Sequence, residues 1–131
     1  MKKPIFVIGR HRSGTTWLAN ILCEHSEIAG VQAERHGGIH ESCFFSSVKD
    51  YCGELKNTND YLSFISIFMQ SDYYKLSGIS EEFCFKKPYF NYYKFFKEFM
   101  DRYAQKMNSE YWLEKSPPHT LYLNEINQNY E

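Results

Sequence analysis

The stretch Gly9-Arg10-His11-Arg12-Ser13-Gly14-Thr15-Thr16 restricts the fold of this chain more than any other feature. Before it, Pro4 to Ile8 is a short apolar, β-branched run closed by glycine, the pattern of a buried parallel strand rather than a helix. After it, Trp17, Leu18, Ile21 and Leu22 recur at helical spacing, which predicts an amphipathic helix from Gly14 to about His25. A strand, a glycine loop and a helix in immediate succession belong to α/β folds, in which helices cover a parallel sheet. In such a loop Gly9 permits a sharp exit from the strand and Gly14 lets the backbone approach an anion. The N–H groups from Ser13 to Thr16 would then point inward at the positive end of the helix dipole. Arg12 and the hydroxyls of Ser13, Thr15 and Thr16 add donors.

The spacing GxxxxG followed by a hydroxyl residue is that of a nucleotide phosphate loop. One position departs from it: Thr15 stands where ATP- and GTP-binding loops carry a lysine that reaches the outer phosphates. That argues against kinase or NTP-hydrolysing chemistry and for a shorter anion.

Downstream, Ile28 to Val31 reads as a second short strand, and the polar, glycine-rich run from Glu34 to Glu41 as a functional loop. Asn59 or Asp60 can cap a helix carrying Tyr61, Phe64, Ile65 and Phe68. Asn91 can cap a longer one carrying Tyr92, Phe95, Phe96, Phe99 and Tyr103. Aromatic residues make up 18% of the chain, and their helical periodicity here points to packing rather than to a platform for stacking bases. Tyr111-Trp112-Leu113 reads as another strand. Ser116 and Pro117 suit the N-cap and first turn of a helix running toward Gln128.

Composition limits what the protein can bind. Fifteen basic against sixteen acidic side chains leave a formal charge of −1, so no bulk attraction to nucleic acid exists and an anion site must be built locally. Cys23, Cys43, Cys52 and Cys84 form no CxxC pair and are expected to be reduced and mostly buried. His36 and His40 flank Gly37 and Gly38, which oppose the rigid helix that a metal pair would need, so no metal is expected. The apolar run Ile5 to Ile8 is too short for a signal peptide or a membrane span, which makes a cytoplasmic location the default expectation.

The run Arg12-Ser13-Gly14-Thr15-Thr16-Trp17 after an apolar strand resembles the 5′-phosphosulfate loop of sulfotransferases that use 3′-phosphoadenosine 5′-phosphosulfate (PAPS). Trp112-Leu113-Glu114-Lys115-Ser116-Pro117 is similar to the segment carrying an active-site lysine in the bacterial and Golgi-type branches of that family. The resemblance implies a P-loop-like three-layer fold, a small parallel sheet between helices, over residues 1–131. It also implies sulfuryl transfer from PAPS, without a metal, to a hydroxyl of a carbohydrate, lipid, peptide or small metabolite. By the same resemblance Ser13, Gly14, Thr15 and Thr16 hold the 5′-phosphate. Arg12 and Lys115 flank the sulfuryl group, and Trp17 lies beside the adenine unless it is simply a buried helix residue.

For the general base the resemblance points first to Glu34, just past the second expected strand. His119 is the competing base, although Lys115-Ser116-Pro117-Pro118-His119 is longer than the Lys-Thr-His segment of cytosolic sulfotransferases. Relatives continue into a strand and helix that supply an arginine and a serine for the 3′-phosphate, and nothing here corresponds to them. The expectation is therefore an N-terminal portion of the domain, its sheet lacking strands and prone to self-association through open edges. Two alternatives stand beside the enzyme: an ATP-dependent phosphotransferase, and a remnant that binds anions without catalysis.

Overall fold

The structure, a computed structural model, describes residues 1–33 and 37–130. In chain order the elements are β1 (Lys3–Val7), α1 (Thr15–Leu22), β2 (Ile28–Gly30), β3 (Gln32–Ala33) and β4 (Gly38–Ile39). A π-helical turn (Phe44–Val48) runs into α2 (Lys49–Cys52), followed by α3 (Thr58–Met69), α4 (Asp72–Ser77), α5 (Glu81–Phe85) and α6 (Tyr92–Lys106). The described chain closes with β5 (Tyr111–Lys115), a 3-10 segment (Pro117–Tyr122) and α7 (Leu123–Asn129).

The fold is α/β. β5 lies between β1 and β2 in a three-stranded parallel sheet, with Val7 opposite Lys115 and Ile28 opposite Tyr111. β3 and β4 pair antiparallel beside it. Because successive strand residues point to opposite faces, the sheet sorts its side chains into two cores. Val7 and Leu113 pack with Ala19 of α1 and Ile39 of β4 on one face. Phe6, Ala29 and Trp112 face a much larger aromatic core built by the π turn, α3 and α6 on the other.

That aromatic core follows the sequence pattern closely. Asn91 caps α6 by accepting from the N–H groups of Tyr93 and Lys94, and Tyr92, Phe95, Phe96, Phe99 and Tyr103 are all buried. Phe96 meets the edge of Trp112, with ring centroids 5.9 Å apart, and stacks on Phe44 at 4.7 Å. The cap of α3 is Asn57, not Asn59 or Asp60; its side chain accepts from the Asp60 N–H while Tyr61, Phe64, Ile65 and Phe68 are buried as expected.

Several local expectations change. α1 stops at Leu22 rather than near His25, and β2 stops at Gly30. Most of the apolar face of α1 lies outside: Trp17 is 69% exposed and Leu18 and Ile21 are also exposed, whereas Leu22 packs against the smaller core and Thr15 and Ala19 are buried. The glycine loop fixes the rotation of α1 by turning Thr15 inward, and the small side chain of Ala19 then lets the helix sit close on Val7 and Leu113. The C-terminal helix begins as a 3-10 segment, and Ser116 makes no side-chain cap there. All four cysteines are free, but only Cys84 is fully buried. Among the described residues no helix is long and apolar enough to cross a membrane.

Phe96 joins α6, the π turn and β5, so Phe96→Ala should destabilise the protein by about 3–5 kcal/mol. Urea denaturation followed by circular dichroism measures this, and a loss below ~1 kcal/mol would show that the aromatic core does not carry the sheet.

Candidate functional site

The sheet delivers two features to the same end. β1 ends at Val7 and leads into the glycine loop, while its register partner Lys115 ends β5. In the loop, Ser13 turns back on Arg10, its N–H donating to the Arg10 carbonyl at 3.2 Å and its hydroxyl to the same oxygen. The Ser13 N–H is therefore used within the turn rather than presented inward. The N–H groups of Gly14, Thr15 and Thr16 have no hydrogen-bond partner among the described residues. They form the unsatisfied start of α1, where the helix dipole is positive. Gly14 caps that start in the left-handed region, φ 88°, which suits glycine and little else. Arg12 also has positive φ, 59°, and its exposed side chain has no hydrogen-bond or ionic partner among the described residues.

Lys115 arrives from the far end of the chain. It is only 3% exposed, and its Nζ donates to Thr16 Oγ1 at 2.9 Å and to Glu41 Oε1 at 2.7 Å. A buried ammonium is tolerated when paired and hydrogen-bonded, and Glu41 supplies the charge. Two adjoining clefts meet at this pair. One of about 430 Å³ is lined by His11, Arg12, Gly14, Thr16, Trp17 and Glu41 among others. The other, of about 240 Å³, is lined by Thr16, Ile39, His40, Glu41 and Lys115. Glu41 and Thr16 stand in the wall between them, and Trp17 borders the larger one rather than the core.

Glu41 reaches this position because of the β3–β4 hairpin. Gly38 has φ 113°, and a Cβ there would lie 2.4 Å from Asn20 Oδ1. Asn20 in turn donates to the Gly37 carbonyl at 2.9 Å and accepts from the Ile39 N–H at 3.0 Å, tying the hairpin to α1. Glu34, the base implied by resemblance, lies outside the described residues, as do Arg35 and His36. In the sequence Glu41 only closes the polar loop beside His40, with nothing to link it to Lys115. The Gly37-Gly38 pair was the only available sign that the loop folds back.

On the opposite face of β5, Glu114 is buried beside His119. Its Oε1 accepts from the Ser42 N–H (3.3 Å), the Ser42 hydroxyl (2.6 Å) and the Ser116 hydroxyl, while Oε2 lies 2.9 Å from His119 Nδ1. His119 Nε2 accepts from the Phe45 N–H at 3.1 Å. That acceptor role places the ring proton on Nδ1, where it donates to Glu114. Both ring nitrogens are engaged and the side chain is fully buried, so in this arrangement His119 faces Glu114 and the π turn rather than the cleft. Burial alone would raise the Glu114 carboxyl, but the hydrogen bonds it accepts from His119, Ser116 and Ser42 outweigh it and hold the group below its ordinary 4.5.

The sequence-family model described as "Sulfotransferase family" matches residues 4–131. No curated protein and no solved structure matches the chain.

Since Glu114 has a lower pKa folded than unfolded, its contribution to stability is complete above about pH 4.5 and is lost as pH falls through the folded value. The urea midpoint of the wild type should therefore fall below that pH, and the fall should be shallower in Glu114→Gln. Parallel acid profiles for the two proteins would contradict this.

Proposed function

We propose, from the premise that this chain belongs to the sulfotransferase family, that it transfers a sulfuryl group from PAPS to a hydroxyl acceptor. The observation that carries the reading is the contact of Lys115 Nζ with Thr16 Oγ1, which joins the glycine loop to a lysine 99 positions away in sequence. An isolated turn between strand and helix needs no such lysine. A site that must stabilise a phosphosulfate and its departing phosphate needs cations next to unpaired N–H groups.

In this reading the N–H groups of Gly14, Thr15 and Thr16 and the nearby hydroxyls receive the 5′-phosphate, the Ser13 hydroxyl turning to it from the Arg10 carbonyl. Trp17 borders the nucleotide. Arg12 and Lys115 flank the sulfuryl group and neutralise charge on the bridging oxygen as the sulfur–oxygen bond breaks. The acceptor oxygen attacks sulfur in line, and its proton passes to a carboxylate. Glu34 is the base that the family resemblance implies. Glu41 has a different part: its carboxylate holds the Lys115 ammonium aimed at Thr16 while the site awaits its donor. The Thr15 position, with no loop lysine, weighs against the ATP-dependent alternative.

Calorimetry with adenosine 3′,5′-bisphosphate and transfer of label from ³⁵S-PAPS test the proposal together. Wild-type protein should bind the nucleotide. Arg12→Ala and Lys115→Ala should each weaken binding about tenfold or more, the scale of one lost charge-assisted hydrogen bond. Magnesium-dependent ATP turnover without bisphosphate binding would replace the reading with a phosphotransferase. Binding with no transfer to any hydroxyl acceptor would leave an anion-binding protein.

A further inference from the structure

Four consecutive N–H groups, from Ser42 to Phe45, lead into the π turn, and each has a side-chain acceptor. Ser42 N–H donates to Glu114, Cys43 N–H to Ser116 Oγ at 2.9 Å, Phe44 N–H to Ser42 Oγ at 3.2 Å and Phe45 N–H to His119 Nε2. Three of these acceptors come from the segment that follows Leu113, and the fourth, Ser42 Oγ, itself donates to Glu114. Helix starts are ordinarily satisfied by one capping side chain and water. Here a buried carboxylate, a serine and a histidine do it together, although an ionised group in the interior is costly unless fully paired. Cys43 is held in the left-handed region, φ 46°, within the same clamp.

The residue immediately before this clamped segment is Glu41, and the residue immediately after Glu114 is Lys115. The strand turns Glu114 and Lys115 to opposite faces, while the chain from Ser42 back to Glu41 crosses from one face to the other. Clamping Ser42 therefore fixes the point from which Glu41 reaches Lys115. We propose that Glu114 is a positioning residue: through Ser42 it sets Glu41 against the Lys115 ammonium, so that the scaffold side of β5 aligns the charged group on the reactive side. The proposal rests on the sulfuryl-transfer reading for its functional meaning, because only there does the direction of the ammonium matter to a reaction.

The direct readout is the ¹H–¹⁵N signal of the Lys115 ammonium, whose exchange with water is slowed by burial and by its two acceptors. In Glu41→Gln the exchange should quicken about tenfold or more as the charged acceptor is lost. Glu114→Gln should do the same while the circular dichroism spectrum stays folded. In the Glu41→Gln background, Glu114→Gln should add nothing. If Glu114→Gln fails to fold, Ser42→Ala serves as the milder variant, with Ser42→Thr restoring the slow signal. An unchanged Lys115 signal in folded Glu114→Gln or Ser42→Ala, or additive effects of the Glu41 and Glu114 changes, would overturn the proposal. Adenosine 3′,5′-bisphosphate binding by the wild type, measured on the same samples, keeps the outcomes separate: no binding removes the sulfuryl-transfer reading, whereas binding with an unresponsive lysine signal removes only the role of Glu114.

Discussion

The alternation of side chains along β5 is the constraint on which the rest of the molecule depends. Trp112 and Glu114 point to one face, Leu113 and Lys115 to the other, and pairing with β1 and β2 on either edge leaves the strand no freedom to rotate. A slip of one residue would drive Lys115 into the aromatic core and Trp112 against α1. Two buried charges in adjacent positions are thus each satisfied on their own side, Glu114 by serines and a histidine, Lys115 by Thr16 and Glu41.

The aromatic core supplies the rigidity that this arrangement requires. Trp112 is fully buried, donates from Nε1 to Asp101 at 2.8 Å, and packs against Phe6 and Phe96. Asp101 is itself paired with Lys97 one helical turn away. α6 is also fixed to β2 through the Tyr103 hydroxyl, which donates to the Gly30 carbonyl at 3.1 Å. The large core on one face therefore holds the strand, and the small core on the other lets α1 approach closely enough for Thr16 to meet Lys115.

What could be read from sequence was whatever local pattern determines. The strand before Gly9, the helix capped by Asn91 and its buried stripe all follow from periodicity and capping chemistry, and so did the α/β class. The rotation of α1 was misread because apolar spacing was taken as the guide to burial, whereas the loop geometry sets which side faces the sheet. Ser116 looked like an N-cap because its position before two prolines suits one, yet tertiary contact diverts its hydroxyl to Glu114 and to the Cys43 N–H. The role of Glu41 was hidden for a different reason: Gly37 and Gly38 mark a turn, but nothing near Glu41 in sequence points to a lysine contributed from a distant strand. Lys115 and the glycine loop, by contrast, were legible as separate motifs, and the structure brings them within 2.9 Å of one another.

The central claim is that the start of α1 and the end of β5 form one site for a nucleotide phosphosulfate. A crystal structure of the protein with adenosine 3′,5′-bisphosphate tests it most directly. The 5′-phosphate should lie on the N–H groups of Gly14, Thr15 and Thr16, within hydrogen-bonding reach of Lys115 Nζ. A nucleotide seated elsewhere, such as the cleft beside Lys86 and Lys87, with the glycine loop empty, would contradict it.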